Sequence, residues 1–259
     1  MLAVALSPGD LLIIFAVGLA AGTVNTIVGS GSLITFPTLL ALGYSPVVAN
    51  VTNTVGLVPG SLSGAFGYRR ELSGQRSRLV FLGSASVAGG ITGAVLLLVL
   101  PGSVFAHVVP ILILVACALV AAQPRLSARL ARRRERGEGN GPVNGGAGLF
   151  AVVYLTGVYG GYFGAAQGVI LIALMGIFID DHLQRLNASK NVLAALVNGV
   201  AALLFIVASH VAWEAAGLLA VGSTVGGQVG AKLGRRLPAP LLRGIIVVVG
   251  TAVAVKLLI

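Results

Sequence analysis

Ten apolar stretches, separated by short polar or glycine-rich breaks, run through the 259-residue chain. Most approach the roughly 20 residues that a helix needs to cross the hydrocarbon core of a bilayer. Two are too short, and glycine-rich breaks at residues 29–32 and 164–168 precede them. The pattern predicts an all-α, polytopic membrane protein with two broken helices, either re-entrant or fully spanning. The stretches cover residues 10–28, 32–43, 46–67, 78–100, 103–122, 147–164, 166–179, 186–209, 213–232 and 241–259.

Composition supports the membrane prediction and changes how the charge is interpreted. The chain is 57% hydrophobic and only 9% charged, whereas about a quarter of a soluble domain is charged. Its formal net charge of +10 does not indicate a nucleic-acid partner, because most Lys and Arg residues cluster between apolar stretches without interleaved aromatic residues. Such clusters mark cytoplasmic loops. They lie at residues 69–78, 125–136 and 232–243.

The two halves of the chain resemble each other. A shift of 137 residues, the separation of Pro101 from Pro238, aligns them without a gap. Accidental similarity between segments rich in Gly and Ala is the alternative to a duplication. The alignment predicts two transmembrane repeats, residues 1–122 and 147–259, joined by a solvated cytoplasmic linker at 123–146.

Loop charges predict how the repeats are oriented. The loop at residues 69–78 is basic, whereas its equivalent at 209–214 has no Lys or Arg. The next pair of loops shows the reverse: residues 101–107 have no Lys or Arg, and residues 232–243 have four. Equivalent loops therefore face opposite sides, so the second repeat is inverted and both termini lie outside. Inverted repeats with broken helices are typical of secondary transporters.

The breaks are the predicted substrate site, because irregular backbone in a membrane is tolerated only where it lines a cavity or is buried in protein. Half-helix N-termini also suit an anion. Polar clusters at the start of the third and eighth stretches extend the site; hydrogen bonding between helices is the alternative role for these side chains. The predicted substrate-binding residues are Asn25, Thr26, Ser30, Gly31, Ser32, Asn50, Asn53, Thr54, Tyr162, Gln167, Gly168, Asn187, Lys190 and Asn191.

Charge within the spans favours an anion as the substrate. All seven acidic residues fall at the ends of stretches or in loops. A cation transporter or a carboxylate proton relay normally needs an acidic side chain inside a span. Lys190 lies inside the eighth stretch, at the position paired with Asn53, and we expect it to supply positive charge to the site. The alternative is that Lys190 snorkels to the cytoplasmic interface.

The sequence predicts no catalytic set, metal site or cofactor. Cys117 is the only cysteine and lies in an apolar run, where we expect it to pack in the core. His107 and His210 fall at predicted outer loops. His182 follows two adjacent aspartates at an inner turn, which we interpret as a polar helix end.

The first break carries a motif. Residues 25–37, NTIVGSGSLITFP, are followed by Leu39, Leu40, Gly43 and ANVTNT at 49–54. This pattern resembles the sulfite exporter TauE/SafE family of membrane permeases. The second half resembles the family more loosely, since Leu174 replaces the proline and Lys190 replaces a small polar residue. The resemblance implies transport of sulfite, sulfonates, sulfoacetate and related organic anions, generally outward.

These observations together predict a secondary transporter that exports a small anion across the bacterial inner membrane by alternating access. An anion leaving an inside-negative cell gains about 2.3 kcal/mol per charge per 100 mV, so export needs no coupling ion. An anion channel and an importer of the same anions stay open as alternatives. The expected partners are the anionic substrate and the lipid bilayer, and a homodimer is left open.

Overall fold

A computed structural model describes residues 6–135, 145–233 and 239–258, and all secondary structure in this part of the chain is helical. This confirms the predicted fold class. The first half forms α1 (Pro8–Ile27), α2 (Ser32–Ala41), α3 (Pro46–Gly67), α4 (Arg76–Val99) and α5 (Gly102–Glu135). The second half forms α6 (Gly146–Tyr162), α7 (Gln167–Phe178), α8 (Leu183–Ala208), α9 (Trp213–Leu233) and α10 (Ala239–Leu258).

Local sequence signals set the helix starts. Ser7 caps α1 in a capping box, in which its Oγ accepts from Asp10 N at 3.2 Å and the Asp10 carboxylate accepts from Ser7 N at 2.8 Å. Pro8 and Pro46 occupy the first positions of α1 and α3, where a missing N–H costs no helical hydrogen bond. These helices therefore begin where the sequence specifies.

Helix α5 continues through Glu135, beyond the predicted end of the first repeat. The predicted linker covers residues 123–146, and its first part, residues 123–135, is therefore helical. Its Leu, Ala and Arg residues are good helix formers, and the first glycine comes at position 137. Residues 136–144 lie outside the described residues, and the division into 1–122 and 147–259 stays a prediction.

Helix positions and packing both follow the repeat. Helices α3, α4 and α5 begin 137 residues before α8, α9 and α10, respectively. Under this correspondence the contact of α1 with α9 is equivalent to that of α6 with α4, and both are extensive; α3 also contacts its own counterpart α8, and α5 contacts α10. Each repeat therefore packs mainly against the other. The inverted orientation of the second repeat stays a prediction.

The gapless alignment is wrong at the breaks. Gly29 and Gly164, 135 residues apart, both adopt positive φ (90° and 77°), and α2 and α7 begin three residues after each. Helix α7 has 12 residues and α2 has 10, which restores the offset of 137 by the start of α8. The breaks are thus equivalent in structure but shifted by two residues in sequence.

Glycines bring the helices of the two halves into close contact. Gly89 of α4 lies against the backbone of Tyr154 in α6, and its equivalent Gly226 of α9 lies against Leu19 in α1. A Cβ at either glycine would overlap a main-chain oxygen of the neighbouring helix. Small residues at helix interfaces are characteristic of membrane proteins, where dispersion and close packing hold helices together.

Helices α1, α4, α8 and the segment Gly102–Arg125 of α5 are long and apolar enough to cross a membrane. Helices α2 and α7 are apolar but short. Large apolar side chains point outward, such as Val99 of α4 (74% exposed) and Val207 of α8 (87% exposed). Outward apolar side chains on helices of this length fit a lipid environment and confirm a polytopic membrane protein.

A polar cluster joins the two halves near the starts of α4 and α8. Asp181 accepts hydrogen bonds from Arg78 Nη1 at 2.7 Å and Arg185 Nε at 2.9 Å. Gln75 Nε2 donates to Arg185 O at 3.1 Å, and Ser189 Oγ donates to Gln75 Oε1 at 2.7 Å. These five residues are called the Asp181 cluster below.

Electrostatics stabilise the charged form of Asp181. Burial alone would raise the pKa of its carboxyl, but the hydrogen bonds from Arg78, Arg185 and the His182 backbone, together with the charge of Arg78, hold the pKa below its usual range. The equivalent place in the other half contains no such ion pair among the described residues. There, Ala212 N donates to Thr52 Oγ1 at 3.1 Å.

Candidate functional site

The first break lies between α1 and α2. Val24 O accepts from both Val28 N (2.7 Å) and Gly29 N (3.1 Å), so the carbonyls after Val24 have no helical donor. Gly29 then takes φ +90°, a conformation that favours glycine, and α2 begins at Ser32. The break brings the C-terminal carbonyls of α1 and the N-terminus of α2 close together inside the protein.

The second break, between α6 and α7, repeats this design. Tyr159 O accepts from Phe163 N at 2.9 Å and Gly164 N at 3.1 Å, as Val24 O does in the first break. Gly164 has φ +77°, and Ala166, the N-cap of α7, also has positive φ (59°). Each half therefore ends one helix and begins another inside the protein.

The two breaks meet at a crossing, formed by Gly29 and Gly168. Gly168 N donates to Gly29 O at 3.1 Å. A Cβ at Gly29 would lie 2.5 Å from Gly168 Cα, and one at Gly168 would lie 2.5 Å from Gly29 Cα. Phe36 and Phe163 pack edge to face beside the breaks, with ring centroids 5.3 Å apart. Only glycine allows this approach of the two backbones.

Lys190 of α8 is buried at the crossing, with 1% of its surface exposed, so it does not snorkel to an interface. Its ammonium donates to Asn25 O at 2.9 Å and Thr26 O at 3.1 Å, and its Cδ faces Gly168. Asn187 and Asn191 also donate to Thr26 O, at 3.3 and 3.4 Å. Three side chains of α8 therefore cap the C-terminus of α1, where the helix dipole favours positive charge.

The equivalent residues of α3 make different contacts. Asn50, the counterpart of Asn187, donates from Nδ2 to Tyr162 O at 3.0 Å and so caps α6. Asn53, the counterpart of Lys190, accepts from Thr35 and donates to Ser32 Oγ at 3.2 Å, within its own repeat. Thr54 donates to Asn50 O at 2.9 Å. The last turn of α6 thus receives one α3 donor, whereas that of α1 receives three from α8.

Four buried polar atoms near the crossing have no hydrogen-bond partner among the described residues. They are Ser30 Oγ, Gln167 Nε2, Asn50 Oδ1 and Asn187 Oδ1. Ser30 and Gln167 lie at the N-termini of α2 and α7, and Asn50 and Asn187 occupy equivalent positions of α3 and α8. Because a buried polar atom without a partner is costly, such atoms are candidates to bind a ligand or water.

The structure brings most predicted site residues to the breaks. Eleven of the fourteen are buried, and Asn25, Ser32 and Tyr162 are half-buried, so the set faces protein and not lipid. Ser32, Asn53 and Thr54 contact α2 and α3 and make no described hydrogen bond to the second repeat. Their role in binding, like that of the other members, stays a prediction.

Sequence reasoning missed three polar residues at the breaks. Asn25 Nδ2 donates to Ser61 Oγ at 3.3 Å, and Asn198 Nδ2 donates to the same oxygen at 3.5 Å. Thr35 contacts Asn53. Ser61 and Asn198 are 137 residues apart, the length of one repeat, so pairing polar positions along the whole of α3 and α8 would have found them.

Other predicted features lie away from the crossing. Cys117 is buried in the core, which confirms its predicted packing role. His182 is the N-cap of α8, beside the Asp181 cluster, as expected for a polar helix end. Two open grooves of about 460 and 770 Å³ lie along the start of α4 and share Arg76 and Val80, and neither is lined by a residue of the breaks.

Comparisons with known proteins identify the family of this chain. The model of the family "Sulfite exporter TauE/SafE" matches residues 14–257. The "Probable membrane transporter protein YfcA" of Escherichia coli K12 is 29% identical over 256 residues, which cover 97% of this chain and 91% of the relative. The "Probable membrane transporter protein ORF9" of a Sinorhizobium species is 26% identical over 255 residues, covering 96% and 92%.

A "Probable membrane transporter protein" of Haemophilus influenzae is 26% identical over 251 residues, covering 96% of this chain and 94% of the relative. No solved structure matches the chain. The family match spans both repeats and both breaks. The chain therefore belongs to the sulfite exporter TauE/SafE family and is a membrane transporter.

Proposed function

We propose that this transporter exports a small sulfur-containing or organic anion across the bacterial inner membrane, and that the anion binds at the crossing of the two broken helices. The observation that carries the proposal is Lys190, a fully buried lysine beside the N-terminus of α7. Among the described residues its ammonium meets main-chain oxygens and no carboxylate.

Protonation of a buried lysine without a counter-ion is costly, and an anion bound nearby would offset part of that cost and favour the charged form. Donors for such an anion are available. Ser30 Oγ and the Gln167 amide have unmet hydrogen-bonding capacity at the N-termini of α2 and α7, where the helix dipole favours negative charge. The arrangement suits a small oxyanion with several acceptor oxygens, such as sulfite or a sulfonate.

Two general physical considerations support outward transport and alternating access. The membrane potential favours anion exit, and two pseudo-equivalent halves packed against each other can exchange conformations around a central site. The basic loop at residues 69–78 supports a cytoplasmic position for that end of the molecule. Both termini would then lie outside. Arg235, Arg236 and the linker residues 136–144, which enter the same argument, lie outside the described residues or side chains.

The test is anion efflux from proteoliposomes loaded with sulfite or sulfoacetate, with an inside-negative potential imposed. We expect Lys190→Ala to reduce efflux to below about a tenth of wild type, a loss of about 1.4 kcal/mol or more of transition-state stabilisation. Lys232→Ala is the matched control, because it removes an exposed lysine at the end of α9. Gel filtration and thermal unfolding in detergent establish that both variants are folded.

Wild-type efflux from folded Lys190→Ala would contradict the role of Lys190. The same preparation separates a carrier from a channel. Saturating efflux with slow turnover supports the carrier, whereas unitary currents in planar bilayers would show the channel alternative. Uptake driven against the potential would favour the importer.

A further inference from the structure

The two broken helices differ in how their C-terminal carbonyls are neutralised, and this difference points to a second ligand. We infer that the last turn of α6 binds a small monovalent cation, such as Na⁺, in the place that the Lys190 ammonium takes at α1. The inference extends the proposed function by adding a cation to the transport cycle. Binding of the cation does not depend on which anion is carried.

The C-terminus of α1 shows which groups donate to the last carbonyls at a break. After Val24 O, which accepts two helical N–H groups, the next carbonyls are those of Asn25 and Thr26. Both accept from Lys190 Nζ, and Thr26 O also accepts from two asparagine amides. The Lys190 amine and two asparagine amides thus donate to the negative end of this helix.

The α6 end has the same backbone, but among the described residues no charged side chain donates to it. After Tyr159 O, the equivalent carbonyls are those of Gly160 and Gly161, followed by Tyr162. The residue equivalent to Lys190 is Asn53, whose amide contacts Ser32 and Thr35 instead of α6. The described side chains of α3 supply this helix end with one donor, from Asn50.

Asn50 also supplies an acceptor. Its Nδ2 donates to Tyr162 O at 3.0 Å, and this hydrogen bond identifies the other terminal atom of the same amide as Oδ1. Oδ1 belongs to a residue that is 1% exposed and has no partner among the described residues. Asn50 therefore brings to the last turn of α6 a donor that is already used and, on the same amide, a buried oxygen without a donor among the described residues.

The ligand class follows from these atoms. Neutral amide and carbonyl oxygens are hard ligands, and the absence of a carboxylate among them favours a monovalent over a divalent cation. Half-helix C-terminal ends and unwound carbonyls coordinate Na⁺ in other transporters with broken helices. A lysine ammonium in one half and a metal cation in the other would give both breaks a similar charge.

The experiment measures thermal unfolding of the purified protein in detergent, with choline chloride replaced by NaCl, KCl or LiCl at constant ionic strength. For wild type we expect at least one alkali cation to raise Tm by about 3 °C or more at saturation. Asn50→Ala should reduce this rise to below about a third. Asn187→Ala, the same substitution at the equivalent position of α8, should retain it.

A variant that adds a positive charge at the α6 end provides an independent measurement. Asn53→Lys places an ammonium at the position equivalent to Lys190, so we expect its Tm to lose dependence on the cation. If Asn53→Lys does not fold, the Asn50 and Asn187 pair decides. Equal Tm of wild type in choline and in every alkali chloride would overturn the inference, as would a full cation response in Asn50→Ala. Anion efflux is measured separately, so failure of the cation site leaves the proposed function standing.

Discussion

At the end of α1, three side chains of α8 meet the last carbonyls, and one of them is a buried ammonium. At the end of α6, a single amide of α3 does so. The two breaks share the same bifurcated acceptor, the same positive-φ glycine and the same direct start of a second half-helix. The repeat therefore preserves the backbone of the two breaks, while side chains at equivalent positions make different contacts with it.

The largest effect should come from destroying the crossing that both breaks share. Gly29→Ala places a Cβ 2.5 Å from Gly168 Cα in a residue with φ +90°, so we expect a loss of about 3 kcal/mol or more of stability, or no folded protein. Gly43→Ala is the control, because Gly43 has φ +93° but no atom within 4 Å of an added Cβ, and about 1 kcal/mol is expected. Gel filtration and thermal unfolding measure both, and equal losses would show that backbone strain alone matters.

The asymmetry extends to the contacts that hold the halves together at the starts of α8 and α3. Asp181→Asn removes the charge that pairs with Arg78 and Arg185, and we expect it to lower stability by about 2 kcal/mol. Thr52→Val removes the equivalent contact to Ala212 N and should cost about 1 kcal/mol. Similar losses of stability in the two variants, or a larger loss in Thr52→Val, would contradict a larger stabilising contribution from the Asp181 ion pairs.

The Asp181 contribution should also depend on pH with a defined sign. Because the folded-state pKa of this carboxyl is lowered, its stabilisation is present above the unfolded pKa of about 3.9 and is lost as pH falls through the folded value. The Tm difference between wild type and Asp181→Asn should be full near pH 7 and shrink below about pH 4. A difference that grows on acidification would contradict this assignment.

A smaller effect should separate the two helix ends directly. In choline chloride, Asn50→Ala removes the one α3 donor to α6 and should cost about 1.5 kcal/mol. Asn187→Ala leaves Lys190 and Asn191 on Thr26 O and should cost about 0.5 kcal/mol. Thermal unfolding of the pair measures the difference, and a reversed order would show that the caps are not the source of the asymmetry.

The smallest effect is expected where the two halves share a weak polar contact. Ser61→Ala removes the oxygen that accepts from Asn25 and Asn198 at 3.3 and 3.5 Å. Because both hydrogen bonds are long, we expect a change in Tm of less than about 2 °C. A drop as large as that of Asn50→Ala would show that Ser61 supports the crossing more strongly than these distances suggest.

Much of the architecture could be predicted because it depends on local signals. Apolar length and sparse charge identify membrane helices, and glycine-rich runs beside short stretches identify the breaks. The repeat came from comparing the chain with itself, although equal spacing hid the two-residue shift between Gly29 and Gly164. The sequence prediction ended this helix where charged residues begin and so missed the continuation of α5 to Glu135. Ala, Leu and Arg have high intrinsic helix propensity, so the helix continues beyond the apolar stretch.

The chemistry of the breaks could be predicted only in part. Lys190 was identified as an unusual charge inside a span, because a buried cation stands out in an apolar run. Its partners could not be identified, since they are main-chain carbonyls of α1, 164 residues or more away, and every residue has a carbonyl. The same holds for Asn50, because the sequence does not show which helix end its side chain caps.

The sequence by itself determined a membrane-embedded, all-helical, internally repeated transporter with two broken helices, because hydrophobicity, helix propensity and glycine positions are properties of short segments. Only the tertiary structure decided that Gly29 and Gly168 cross, that Lys190 caps α1 while Asn53 turns away from α6, and that Asn50 keeps an unpaired oxygen. Those outcomes depend on which residues of different helices come within hydrogen-bonding distance, and long-range packing sets that distance.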